Sequence, residues 1–268
     1  MTDFSPGTNR GVDPWPDPPE LPAPVIMEQR WSDAVFLHWR IPAAVAAPFM
    51  PAGVAPDSFD GSAWVGLIGF RMQGAGLGRG PGIPYFGSFN EINVRLYSRA
   101  PDGTRGVVFL SLDADRLAVV LAARAAGIPY VWSRAGYRGD KGLGLAGAAP
   151  APARGAPAAP QAGYWVRRFR GGGRSDFDVA PKLDAEATDP LSIHLTARFG
   201  LHTRFRGKTL YVPNTHTAWP LYRAQLSHLE DQLVRAAGIN VEGPPESVLF
   251  SPGVGTQFGR PYILDGKA

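Results

Sequence analysis

The run Glu91-Ile92-Asn93-Val94-Arg95-Leu96-Tyr97 alternates polar and apolar residues without a break, and it constrains the fold more than any other part of the chain. A period of two belongs to a β-strand, so Glu91, Asn93, Arg95 and Tyr97 share one face while Ile92, Val94 and Leu96 share the other. In an ordinary half-buried sheet the polar face points to water. In a closed barrel it lines the lumen, where a partly dehydrated carboxylate and guanidinium can orient an acidic or carbonyl substrate and move its proton. The residues alone leave both readings open.

The rest of the chain is mostly strand as well. Val35-Phe36-Leu37-His38-Trp39 is a β-rich run ending before Pro42, and a short helix over 43–49 is closed by Pro51 and Gly53. Further strands are predicted over 63–72, 107–112, 164–169 and 248–250 and around Leu210-Tyr211-Val212, with a long glycine-rich loop over 74–87. Helices are predicted over 115–126, 190–199 and 219–237, the last with Leu221, Ala224, Leu229, Leu233 and Ala236 on one stripe and Gly238 as its stop. Many strands, few helices and no β-α-β alternation give an α+β class, mainly antiparallel β. The sheet is expected to curl into a barrel or cone with peripheral helices, against which Ile92, Val94 and Leu96 would pack.

Residues 1–24 carry seven prolines and few apolar partners, so they read as a Pro-rich N-terminal tail or extended arm. Residues 25–268 then form a single domain, since one core serves chains of up to ~250 residues. Within it, 139–163 is almost only Gly, Ala and Pro and reads as a flexible insertion between two strands. No segment approaches the roughly 18 apolar residues of a membrane span, and Asp3, Pro6 and Asn9 do not make a signal peptide. A cytoplasmic protein with no membrane partner is expected. The absence of cysteine excludes disulfides, thiolate nucleophiles and sulfur-ligated zinc, so stability must come from packing.

The formal charge of +4 is carried almost wholly by arginine. Arg167, Arg168 and Arg170 form a basic cluster, but no recognition helix or aromatic RNA-binding pattern accompanies them, and no nucleic-acid partner is predicted. Gly74-Ala75-Gly76-Leu77-Gly78 lacks the Gly-Lys-Ser/Thr ending of a phosphate loop. The five histidines show no metal-ligand spacing, and no Gly-x-Ser-x-Gly elbow is present. Neither a metal nor a cofactor is predicted.

An ordered set of motifs carries a family resemblance. Phe36-Leu37-His38-Trp39, the segment from Phe59-Asp60-Gly61 to Val65-Gly66, Phe70-Arg71-Met72, the Glu91 strand, Phe109-Leu110-Ser111-Leu112-Asp113-Ala114 and Ile128-Pro129-Tyr130 resemble the uncharacterised YqjF-like family. Leu195-Thr196-Ala197-Arg198-Phe199 and His216-Thr217-Ala218-Trp219-Pro220-Leu221 resemble its C-terminal half. That family is similar in turn to the acetoacetate decarboxylases, which implies a β-barrel cone around a hydrophobic pocket. The resemblance places Glu91 at the pocket carboxylate of those enzymes, and Tyr130 and Val131 where their paired lysines stand. A tyrosine cannot form an imine with a ketone, so the Schiff-base mechanism does not carry over.

These readings set the functional expectations. The first is a cofactor-independent enzyme acting on a small organic acid or carbonyl compound, of lyase, hydratase, isomerase or cyclase type. In it Glu91 is the acid or base, Tyr130 a hydrogen-bond donor to a carbonyl or enolate oxygen, and Arg95 and Arg124 hold a carboxylate, with Asn93 and His38 beside them. A non-catalytic small-molecule binding protein and a structural protein with a filled barrel are the alternatives. A small-molecule ligand or substrate is the expected partner, and a homo-oligomer is left open.

Overall fold

The computed structural model describes residues 15–125, 127–139 and 160–264. Most of the predicted insertion, the first fourteen residues of the predicted tail and residues 265–268 lie outside them. The described elements run β1 (Met27–Ile41), α1 (Ala43–Ala46), β2 (Ala55–Pro56), β3 (Ala63–Leu77), β4 (Phe89–Arg99), β5 (Arg105–Ala114) and α2 (Leu117–Ala125). They continue as β6 (Tyr130–Gly139), β7 (Ala162–Arg168), β8 (Arg174–Glu186), α3 (Pro190–Thr196), β9 (Gly200–Phe205) and β10 (Lys208–His216). The chain ends through β11 (Tyr222–Asp231), α4 (Leu233–Ala236), β12 (Ser247–Phe258) and β13 (Tyr262–Ile263).

All these strands belong to one sheet, and its pairings close two circuits. One runs β5-β6-β7-β8-β11-β12-β1-β3-β4 and back to β5; the other takes the shorter path β5-β9-β10-β12 before returning through β1, β3 and β4. Strands β12, β1, β3, β4 and β5 therefore form a wall common to both rings. The ladders are antiparallel except β5 with β6 and β5 with β9, which are parallel. The expected mainly antiparallel, barrel-like sheet is what the chain forms.

A shared wall gives the strand period a double meaning, because each face looks into a different ring. Val35 and Leu37 of β1, Val65 and Leu67 of β3, and Ile92, Val94 and Leu96 of β4 fill the larger ring, packed against Tyr164, Phe177 and Val179 of β7 and β8. Helices were expected there, and Ala46 of α1 with Leu233 and Val234 of α4 do join this core, but most of the partners are strands, because the sheet folds back over its own outer face. The opposite face carries Phe36, His38, Ile68, Glu91, Asn93 and Tyr97 into the smaller ring.

The predicted helix over 219–237 is the main error. Residues 222–231 form β11, paired with β8 through Ala224↔Pro181, Leu226↔Val179 and Leu229↔Phe177, and only Leu233–Ala236 is helical. A bulge between Leu226 and His228 shifts the inward phase by one residue. Inward positions 224, 226, 229 and 231 are then spaced two, three and two apart, which imitates a helical stripe. Pairing overrides the helix propensity of Ala, Leu and Gln here. The glycine-rich stretch after Met72 is likewise partly strand, since β3 continues to Leu77 by pairing with β1.

Candidate active site

Register brings the polar residues together. Across the wall, Leu249 of β12 pairs with Phe36 of β1, Phe36 with Ile68 of β3, Ile68 with Asn93 of β4, Asn93 with Leu112 of β5, and Leu112 with Tyr130 of β6. Directly paired residues share a face, so Tyr130, thirty-nine positions from Glu91, arrives on the same surface. Its backbone oxygen accepts from Arg124 Nε at 2.7 Å, which ties the start of β6 to α2.

The surface bounds a cavity of about 520 Å³, inside the range of small-molecule sites. Its walls are mainly Trp31, Phe36, Phe70, Phe89, Leu112 and Trp219, and the exposed Leu77, Ile83 and Phe86 border it at one end. Against this apolar lining stand Gln29, Glu91, Asn93, Arg95 and Tyr130. Glu91 is 2% exposed. Its Oε2 accepts from the Tyr130 hydroxyl at 2.6 Å and its Oε1 from Asn93 Nδ2 at 3.2 Å. Burial pushes the Glu91 carboxyl up to about 7, against the opposing pull of those two hydrogen bonds and of Arg95. Burial and the neighbouring Glu91 also push the Tyr130 phenol well above its ordinary range, so it acts as a donor.

Arg95 is half-buried and lines the cavity, and among the described residues no carboxylate lies within ion-pair distance of it. Its Nε donates to Tyr97 Oη at 3.3 Å, and Tyr97 Oη lies 2.7 Å from His38 Nε2. Gly66 permits that approach, since a Cβ there would come within 3.1 Å of both the His38 ring and the Tyr97 hydroxyl. His38 is fully buried and held well below its usual range by burial and by Arg95, so it is a neutral partner of Tyr97.

Of the six residues singled out in the sequence, Glu91, Asn93, Arg95 and Tyr130 thus meet on one cavity. His38 and Arg124 do not line it. His38, on the same strand face as Phe36, turns its ring to the Tyr97 hydroxyl instead of to the cavity. Arg124 is exposed on α2, outside the cavity lining, and donates its Nε to the Tyr130 backbone oxygen.

Sequence reasoning missed the buried charges beside the site. Asp57 accepts from Arg105 Nε at 2.7 Å and from Arg198 Nη1, and Arg198 lies over the Tyr97 ring at 4.9 Å. Burial, aided by Arg105, lowers Arg198 to about 10, and burial beside Arg198 lowers His194 to about 3. Arg198 and Trp219 stood within quoted motifs, but only three-dimensional pairing assigns them a place.

Comparison with known proteins agrees with this architecture. The DUF2071 family, described as an uncharacterized conserved protein, matches residues 28–255. The uncharacterized protein YqjF of Bacillus subtilis (strain 168) is 29% identical over 229 residues, covering 83% of this chain and 84% of that protein. Among solved structures, an acetoacetate decarboxylase-like enzyme from Sphingomonas wittichii RW1 superposes with a TM-score of 0.64 at 12% identity, over 90% of this chain and 94% of its own. Acetoacetate decarboxylase from Legionella pneumophila gives 0.61 at 12% identity, over 97% and 98%. The enduracididine biosynthesis enzyme MppR complexed with pyruvate gives 0.59 at 13% identity, over 92% and 93%. At these identities the likeness shows the acetoacetate decarboxylase-like fold alone.

Proposed function

The chain belongs to the DUF2071 family, and from that footing and the geometry of its cavity we propose a cofactor-independent enzyme that moves a proton on a small organic acid or carbonyl compound. One observation carries this reading: the only carboxylate lining the apolar cavity among the described residues is Glu91, held by Tyr130 and Asn93 and raised to about 7. A carboxyl poised near neutrality exchanges a proton with least penalty in either direction, which is the requirement for general acid–base catalysis. Ionised, it removes a proton from carbon next to a carbonyl; protonated, it returns one.

Tyr130 and Asn93 supply hydrogen-bond donors beside the carboxylate, and Arg95 supplies positive charge where an enolate or carboxylate oxygen would sit. Imine chemistry does not suit this cavity, because neither described lysine, Lys182 or Lys208, lines it. Pyruvate in the MppR complex is a compound of the proposed class, and it supports the reading by fold-level analogy only. The cavity's volume speaks against a filled barrel.

The test is proton exchange. A panel of 2-oxo acids and ketones in deuterium oxide, followed by proton NMR, should show accelerated loss of the signals next to the carbonyl for at least one member. Glu91→Gln should lower that rate by roughly 10²- to 10⁴-fold. No acceleration across the panel, or equal rates in the variant, would overturn the proposal.

A further inference from the structure

Behind Arg95 the main cavity abuts a small alcove of about 50 Å³, and the two share Trp31, Arg95, Phe109, Leu201, Trp219 and Phe258 in their walls. Unlike the main cavity, the alcove is largely polar at its far end, where Thr196, Arg198, Asn214 and His216 line it. All four are at least nine-tenths buried. Three of its lining groups keep buried polar atoms without a hydrogen-bond partner: Arg198 Nη2, Asn214 Oδ1 and Trp31 Nε1. Buried polar groups are rarely left so, and three around one small space point to something that belongs there.

Charge says what it is. Arg105 and Arg198 share a single carboxylate, Asp57, Arg95 has no carboxylate within ion-pair distance among the described residues, and no Asp or Glu lines the alcove. Three cations against one anion leave two positive charges in excess, and one remains if Glu91 is ionised. His38 and His194 are held neutral and do not change the count. An alcove of this volume admits a carboxylate or a water molecule but not a bulky group. Arg198 Nη2 and Trp31 Nε1 are unspent donors, and Asn214 can present either its amide nitrogen or its oxygen.

The geometry points to the alcove as a carboxylate subsite, and to the ligand as an amphipathic monocarboxylate whose acid group sits between Arg95 and Arg198 while its apolar body fills the main cavity. This deepens the proposed function and rests on the same cavity, but it adds a class of substrate. A molecule as small as a short keto acid would leave most of the aromatic lining uncovered, whereas a long aliphatic or aryl chain covers it. With the acid group held behind Arg95, carbon atoms of the body come past Asn93 and Glu91, which lie on the same face of β4.

Calorimetric titration of the full chain with decanoate and with 1-decanol separates the acid group from the tail. Decanoate should bind about ten- to a hundredfold more tightly than decanol, the scale of hydrogen bonds to a charged group. Asn214→Leu fills the alcove and should remove that preference while leaving decanol binding in place. Should the variant fail to fold by circular dichroism, Trp31→Phe deletes one unspent donor while keeping an aromatic ring in the wall and should narrow the preference severalfold. Decanoate and decanol binding alike, or both folded variants keeping the wild-type preference, would overturn the subsite. Acetate or inorganic phosphate binding as tightly as decanoate would overturn the amphipathic ligand. Decanoate preference without any proton-exchange activity would sink the proposed reaction and leave the subsite standing.

Discussion

The hydroxyl of Tyr130 donates to Oε2 of Glu91 across 2.6 Å, joining the first residue of β6 to β4 of the common wall. Both side chains are buried, so the bond lies in a medium where it is strong and its loss is felt. It favours the ionised carboxylate and thereby offsets part of the burial that drives Glu91 upward.

Tyr130→Phe removes that donor while keeping the ring. The Glu91 midpoint should move further above about 7, and the basic form used for proton abstraction should appear at higher pH. The pH dependence of deuterium exchange reports the shift, and an unchanged or lowered midpoint would show that the hydroxyl does not control the carboxyl. Arg124→Ala, which frees only the Tyr130 backbone oxygen, should give a smaller shift in the same direction.

Glu91 also couples stability to pH. Its folded-state pKa of about 7 exceeds the ordinary value of 4.5, so between those limits the folded chain binds more protons than the unfolded one. The stability linked to the protonated form is fully present below 4.5, falls as pH rises, and is lost above about 7. The span corresponds to about 3 kcal/mol, as an order of magnitude. Glu91→Gln should therefore gain stability relative to the wild type on going from about pH 5 to about pH 8, measured by urea unfolding at each pH. A constant difference between the two proteins would contradict the shift.

Tyr97 and His38 were visible as strand residues, but their bond was not. Removing the hydroxyl with Tyr97→Phe leaves His38 Nε2 and Arg95 Nε without their shared partner in a buried place. A loss of about 1–3 kcal/mol in urea unfolding is expected. A neutral result would mean that the ring alone holds this corner.

The Glu91 strand was legible because a period of two survives whether a face meets water or a lumen. The sequence could not tell those apart, since the decision depends on β9 and β10 closing a second ring over that face. Tyr130 was reachable only through resemblance, its position on the site being set by the parallel step from Leu112. For residues 219–237 the same reasoning failed because one bulge broke the period it relies on. Asp57, Arg198 and Asn214 left no periodic signal, being brought together from a loop, a helix end and a strand far apart in the chain. Pairings of that kind are a property of the closed sheet and are not written in any local window.

The last prediction concerns Asp113, which stands opposite Ile92 on the far side of the wall from Glu91. It is fully buried, accepts from Arg168 Nε and Nη2 at 2.8 Å each, and takes a third hydrogen bond from Ser133 Oγ at 2.7 Å. Asp113→Asn leaves the Arg168 guanidinium, itself only 11% exposed at its side chain, without its counter-charge. Breaking one partner of such a pair costs about 3–5 kcal/mol, because the remaining charge stays desolvated. A second effect crosses the wall: the Asp113 charge helps raise Glu91, so its removal should lower the Glu91 midpoint. The double variant Asp113→Leu with Arg168→Met removes both charges and should recover much of the stability while keeping the lowered midpoint. Urea unfolding and the pH profile of deuterium exchange read the two effects separately. If the double variant recovered stability but left the Glu91 midpoint unmoved, the two faces of the wall would be electrostatically independent, and Asp113 would serve the fold alone.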